Sequence, residues 1–149
     1  METLASIFRQ EQTNMINYKG KVVYSIFEFP IEDKTKILHI HRLKSKKTEI
    51  QGLKIKVIKG LLDVNDVKAT EVVLWADTSP DMVDIIIRSK DGCRVKIWNI
   101  WKTDDLQSAW IGNAGMLVET KGPTILLSCS DGIGEINFTD LVVRIESSN

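Results

Sequence analysis

Leu53-Lys54-Ile55-Lys56-Val57 decides the fold class. Apolar and charged residues alternate there at a period of two, so Leu53, Ile55 and Val57 share one face and the two lysines the other. That is a β-strand with one side in a core and one in water. Gly60 is expected to end it. Further along, Glu71-Val72-Val73-Leu74-Trp75 reads as a strand, and Thr78-Ser79-Pro80-Asp81 as a turn. Val83, Ile85 and Ile87 repeat the alternation, and Lys90-Asp91-Gly92 carries the signal of a hairpin turn, because Gly accepts positive φ cheaply. Cys93, Val95 and Ile97 alternate with Arg94 and Lys96. In Trp98-Asn99-Ile100-Trp101 the apolar phase slips, as at a β-bulge or in a strand buried on both faces.

The pattern extends both ways. Residues 61–69 are ambiguous: Val64 and Val67 stand three apart, and Asp63, Asn65 and Asp66 favour a loop or a single turn. Residues 103–108 read as a loop, 109–111 as a short strand and 112–115 as a turn. Strands at 116–119 and 124–129 flank Lys121-Gly122-Pro123, and 141–145 is the last strand. Upstream, Ser45-Lys46-Lys47-Thr48 makes a hairpin-like turn after the strand at 37–43, and a run rich in β-branched and aromatic residues, 22–29, stops at Pro30. Leu4, Ile7 and Phe8 have helical spacing, which predicts a short helix or arm over residues 1–18, either packed as a cap or exchanged in a dimer. Residues 19–149 are expected to form one domain. Nine or ten short strands with regular turn signals predict an all-β fold, an antiparallel, jelly-roll-like β-sandwich. Neither a repeat nor a long helical pattern interrupts them.

Net charge is zero, which removes any bulk attraction to nucleic acid. Residues 1–70 hold 13 basic and 8 acidic side chains (+5), and residues 71–149 hold 7 and 12 (−5). That dipole would steer a partner or favour self-association. No apolar run approaches the length of a bilayer span, and no secretory leader is read in Met1 to Gln12. Cys93 and Cys129 sit in apolar alternating runs; two reduced, buried thiols fit a cytoplasmic protein, and one disulfide between adjacent strands is the alternative.

The richest patch runs from Trp98 to Gly115. Trp98, Trp101 and Trp110, with Asn99 and Asn113, supply the flat faces and directed amides that a sugar or planar ligand needs, although large aromatics also fill sandwich cores. Asp131 and Asp140, with Glu135 and Asn137, offer oxygens to a cation such as Ca²⁺, but in the spacing of ordinary turns rather than of an EF-hand. His39 and His41 are two apart on one strand and face the same way, as metal ligands or as cross-strand neighbours. Any Ser-His-Asp triad must use one of them. Lys44, Lys46 and Lys47 form a basic turn without interleaved aromatics.

The ending Ser130-Asp131-Gly132, then Asn137-Phe138-Thr139-Asp140-Leu141-Val142-Val143-Arg144-Ile145, resembles the closing strands of galactose-binding-like jelly rolls and carbohydrate-binding modules. The likeness covers about the final tenth of the chain. It implies a jelly roll with a ligand site in the loops at one end, and it carries no individual residue across. Secreted modules of that kind have a leader that is not read here. With no catalytic constellation and no cofactor signature, the expected function is a non-catalytic module binding another protein. A small-molecule or carbohydrate site in the Trp/Asn patch is the alternative, and an enzyme with scattered carboxylates comes third.

Overall fold

The computed structural model describes residues 2–149. It contains one helix, α1 (Leu4–Glu11), and twelve strands. These are β1 (Met15–Tyr18), β2 (Lys21–Tyr24), β3 (Phe27–Pro30), β4 (Thr35–Ser45), β5 (Ile50–Val64), β6 (Val67–Ala69), β7 (Glu71–Trp75), β8 (Met82–Thr103), β9 (Leu106–Ser108), β10 (Gly115–Lys121), β11 (Thr124–Ser130) and β12 (Leu141–Ser148). The protein is all-β with a short N-terminal helix, as its alternation predicts. Every pairing is antiparallel, in the order β1-β2-β10-β11-β12-β4-β8-β5-β6, with β3 and β9 also on β8 and β7 also on β5.

The two central strands, β5 and β8, bend together. Ile58 pairs with Arg94 and Gly60 with Ser89, so Lys59 alone stands opposite residues 90–93. Lys59 (φ 59°) and Gly92 (φ 80°) take left-handed backbone to make this bulge. Gly60 permits it, because a Cβ there would stand 2.8 Å from the Arg88 carbonyl oxygen. The bend divides the sheet into two blocks. In the first, residues 82–88 of β8 pair with β4, and the strands run outward through β12, β11, β10 and β2. In the second, residues 94–102 pair with residues 50–58 of β5, flanked by β7, β3 and β9. The blocks enclose one core, where Leu38, Ile40, Leu127, Val143 and Ile145 pack with Leu53, Ile55, Val95 and Ile97. A smaller cluster, Leu4, Phe8, Ile16 and Val23, seats α1 against β1 and β2.

Several local expectations give way. Lys90-Asp91-Gly92 does not reverse the chain: its positive-φ glycine serves the bulge, and β8 runs on. Gly60 likewise lies inside β5. Ser45-Lys46-Lys47-Thr48 does not make a hairpin, because β8 lies between β4 and β5. The ambiguous residues 61–69 complete β5 and turn tightly into β6 through Asn65-Asp66, both at positive φ. Asp104-Asp105 does the same between β8 and β9, so 103–108 holds a hairpin, and 109–111 is not a strand. The run 22–29 splits at Ser25-Ile26, one half joining β10 and the other β8. The segment 1–18, expected as a short helix or arm, holds the helix α1 and adds β1, which is hairpinned onto β2. At Trp98 to Trp101 the register is unbroken, and the strand is buried on both faces.

Ile55 is fully buried at the centre of the core. Ile55→Ala is expected to cost about 2–5 kcal/mol in urea denaturation. A variant with an unchanged midpoint would contradict its place in that core.

Candidate functional site

The structure distributes the Trp/Asn patch over three places. Alternation along β8 sends Asn99 and Trp101 inward and Trp98 outward. Asn99 is buried and donates its amide to the Ser130 carbonyl at 2.9 Å. Trp101 is also buried, under the loop between β11 and β12, and a Cβ on Gly132 would come within 2.6 Å of its ring. Gly132 and Gly112 lie against each other where two loops cross, so neither site admits a side chain without displacing backbone. Asn113 caps α1: its Oδ1 accepts from Leu4 N at 3.3 Å, and its Nδ2 donates to Gly134 O at 2.9 Å. A Thr3/Ser6 capping box completes the helix start.

Trp98 and Trp110 do come together, with ring centroids 5.1 Å apart. Trp98 is the buried member, and Trp110 is 46% exposed. Trp110 holds φ at 58°, a conformation a bulky residue adopts only under constraint. Its indole N–H donates to the Ser25 carbonyl at 3.1 Å, which fixes the ring. The ring walls a groove of about 360 Å³ whose other sides are Ala5 and Phe8 of α1 and Ile26, with Arg9, Gln12, Thr13 and Asn14 at the rim. Ile111, next in the chain, is 56% exposed. The groove is thus apolar within and polar at its edge, the usual anatomy of a binding site.

Asp131 and Asp140 are placed as a structural pin. Asp131 is fully buried. Its Oδ2 accepts from Lys46 Nζ at 2.8 Å and Gln51 Nε2 at 3.0 Å, and its Oδ1 accepts from Ile133 N at 3.0 Å. Asp140 Oδ2 accepts from Asp131 N at 3.0 Å, and Glu49 also pairs with Lys46, at 2.9 Å. The lysine ammonium therefore stands where a bound cation would. Asn137 is spent on Thr139, and Glu135 is exposed. Among the described residues no three His, Cys, Asp or Glu side chains converge as metal ligands. Burial works against the Lys46 charge, but its hydrogen bonds to Asp131 and Glu49 outweigh this and hold its pKa above the ordinary lysine range. Burial, with the nearby Asp131 charge, pushes the Asp140 carboxyl up. Cys93 and Cys129 are free and buried, and burial raises both thiols.

His39 and His41 sit half-buried on the outer face of the first block. His39 Nδ1 lies 2.8 Å from Asp84 Oδ1, and its Nε2 lies 2.8 Å from Ser148 Oγ. His41 meets Arg144 at 2.9 Å. The Asp84–His39–Ser148 chain has triad connectivity, but it lies open on the sheet, with Asp84 69% exposed, where solvent weakens each bond. Ala5, Phe8 and Ile26, the groove's other walls, do not stand out in the sequence as site residues. The only local signal was the helical spacing of Leu4, Ile7 and Phe8.

Comparison with protein-family models, with curated proteins and with solved structures finds no match to this chain. No helix among the described residues is long and apolar enough to cross a membrane.

Two tests bear on the pin. Lys46→Met leaves a buried carboxylate without its cation and is expected to cost about 3 kcal/mol at neutral pH. A variant as stable as the parent in urea would show that the pair is dispensable. Because the Asp140 pKa is raised by folding, its contribution is complete below about pH 4 and is lost as pH rises through the folded value. Asp140→Asn should therefore gain on the parent between about pH 4 and 7, and equal differences at both ends would contradict this.

Proposed function

We propose that this domain is a non-catalytic binding module that takes an apolar side chain of a partner protein into the groove beside Trp110. The observation that carries the reading is Trp110 itself. It is a half-exposed indole held at positive φ, anchored by Ser25 and backed by Trp98, and it forms one wall of an apolar groove. Tryptophan in such a setting is enriched among residues that dominate binding energy. Arg9, Gln12 and Asn14 at the rim supply hydrogen bonds that orient a backbone. The groups with chemical potential are otherwise engaged. Asp131 is spent on the interior pin, both thiols are buried, and the His39 chain lies in water.

A second reading keeps the same wall and changes the guest. The exposed indole face with the Asn14 and Gln12 amides also suits a sugar ring. The resemblance of the closing strands to carbohydrate-binding jelly rolls favours this alternative.

The test pans a displayed library of random peptides against the immobilised domain, with a glycan array in parallel. The expected outcome is enrichment of peptides with an aromatic or aliphatic anchor, whose affinity falls at least about tenfold with Trp110→Ala. Glycan hits sensitive to the same substitution would replace the protein reading with the sugar reading. Enrichment in neither screen, or binding that ignores Trp110, removes the groove as the site.

A further inference from the structure

The outer face of the second block carries a different chemistry from the groove. Register places Lys54 opposite Trp98, Lys56 opposite Lys96, and Gly52 between Ile100 and Trp75. Since Leu53, Ile55 and Ile97 fill the core, these alternate residues point outward together. Contacts agree with the register. Lys102 Nζ lies 4.2 Å from the Trp75 ring centroid, and Lys54 Nζ lies 5.6 Å from that of Trp98. Gly52 leaves room for the Trp75 ring, which a Cβ there would meet at 2.6 Å.

Five cations occupy this face: Lys54, Lys56, Arg94, Lys96 and Lys102. Two carboxylates answer them. Glu71 reaches Lys54 at 3.2 Å, and Glu28 is shared between Arg94 and Lys96. Three positive charges are left over, although the chain as a whole is neutral. Lys56 and Lys96 stand directly opposite each other; Glu28 flanks and pairs with Lys96, while Glu71, the neighbour of Lys56 on the other side, is taken by Lys54. Lys56 makes no ion pair among the described residues.

We infer that this sheet face binds single-stranded nucleic acid. Its phosphates meet the surplus cations, and a base stacks on the indole of Trp75. Lys102, now lying over the Trp75 ring, holds a place that a base would take, since both offer the ring face a favourable partner. An indole set among the cations favours a partner that carries flat rings with its charge, which a run of Asp and Glu alone does not. A duplex keeps its bases inside and offers only the phosphates.

The test titrates the whole protein into a fluorescein-labelled single strand of about 16 nucleotides and follows anisotropy at low salt. The expected result is saturable binding that quenches tryptophan emission. Log affinity should fall against log salt with a slope near −2, as neutralising roughly three phosphates of a single strand requires. Lys56→Glu should weaken binding about tenfold at low salt, and Lys56→Arg should retain it. Polyglutamate serves as competitor. No anisotropy change at low salt overturns the inference. So does equal competition by polyglutamate without tryptophan quenching, which would assign the face to acidic peptides. Position 56 lies outside the Trp110 groove, so loss of oligonucleotide binding with groove binding retained separates the two surfaces.

Discussion

The joint bend of β5 and β8 is the constraint on which the rest of the fold depends. These strands pair with each other on both sides of the bulge, and each side belongs to a different block of the sheet. Without the unequal spacing of Lys59 against residues 90–93, the two strands would continue as one long ribbon with a single buried face. The bulge also shifts the inward positions on β5 from Leu53, Ile55 and Val57 to Leu62, so both blocks present apolar residues to the same core. Gly60 is indispensable to that geometry because the Arg88 backbone occupies the space of a side chain.

A polar interior closes one end of this core. Gln51, Asn99 and Asp131 are buried together, and each is tied to the loop between β11 and β12 or to the strands facing it. Among the buried side-chain polar atoms of the described residues, only Gln51 Oε1 has no hydrogen-bond partner. The same loop packs Gly132 on Gly112, and the turn after Gly112 caps α1 through Asn113. The helix that forms one wall of the groove is thus positioned, through two loops, by a part-buried salt bridge between residues 85 apart in sequence. Pinning by charge costs desolvation that an apolar core avoids, but it imposes direction: Lys46 and Gln51 must both reach one carboxylate oxygen.

Period-two patterns were legible because they report burial residue by residue. Leu53, Ile55 and Val57 lie inside as their spacing requires, and Leu4 and Phe8 lie under the helix. Turn chemistry was legible only in part. Asp91-Gly92 has the composition of a hairpin, yet it makes a bulge, while Asn65-Asp66 and Asp104-Asp105 make hairpins without any glycine. Positive φ is what these residues permit, and whether the chain then reverses depends on strands far away. The tryptophans show the same limit. Composition brings Trp98, Trp101 and Trp110 together, but the alternation of one strand puts Trp98 and Trp101 on opposite faces. Only pairing with Ser25 and α1 makes Trp110 the wall of a groove. The Lys/Trp face was invisible because its members come from four strands, and total charge averages it away.

The strand order has a consequence for synthesis on the ribosome. β4 has β8 on one side and β12 on the other, and β12 is the last strand of this sheet to be made. About 100 residues separate β4 from that partner, so at roughly 5–20 residues per second its second edge waits about 5–20 s for closure. During that interval Leu38 and Ile40 lie beside an unpaired edge. Until the C-terminal strand arrives, the nascent chain is a template for wrong pairing, and the last strand acts as the latch that ends its vulnerability.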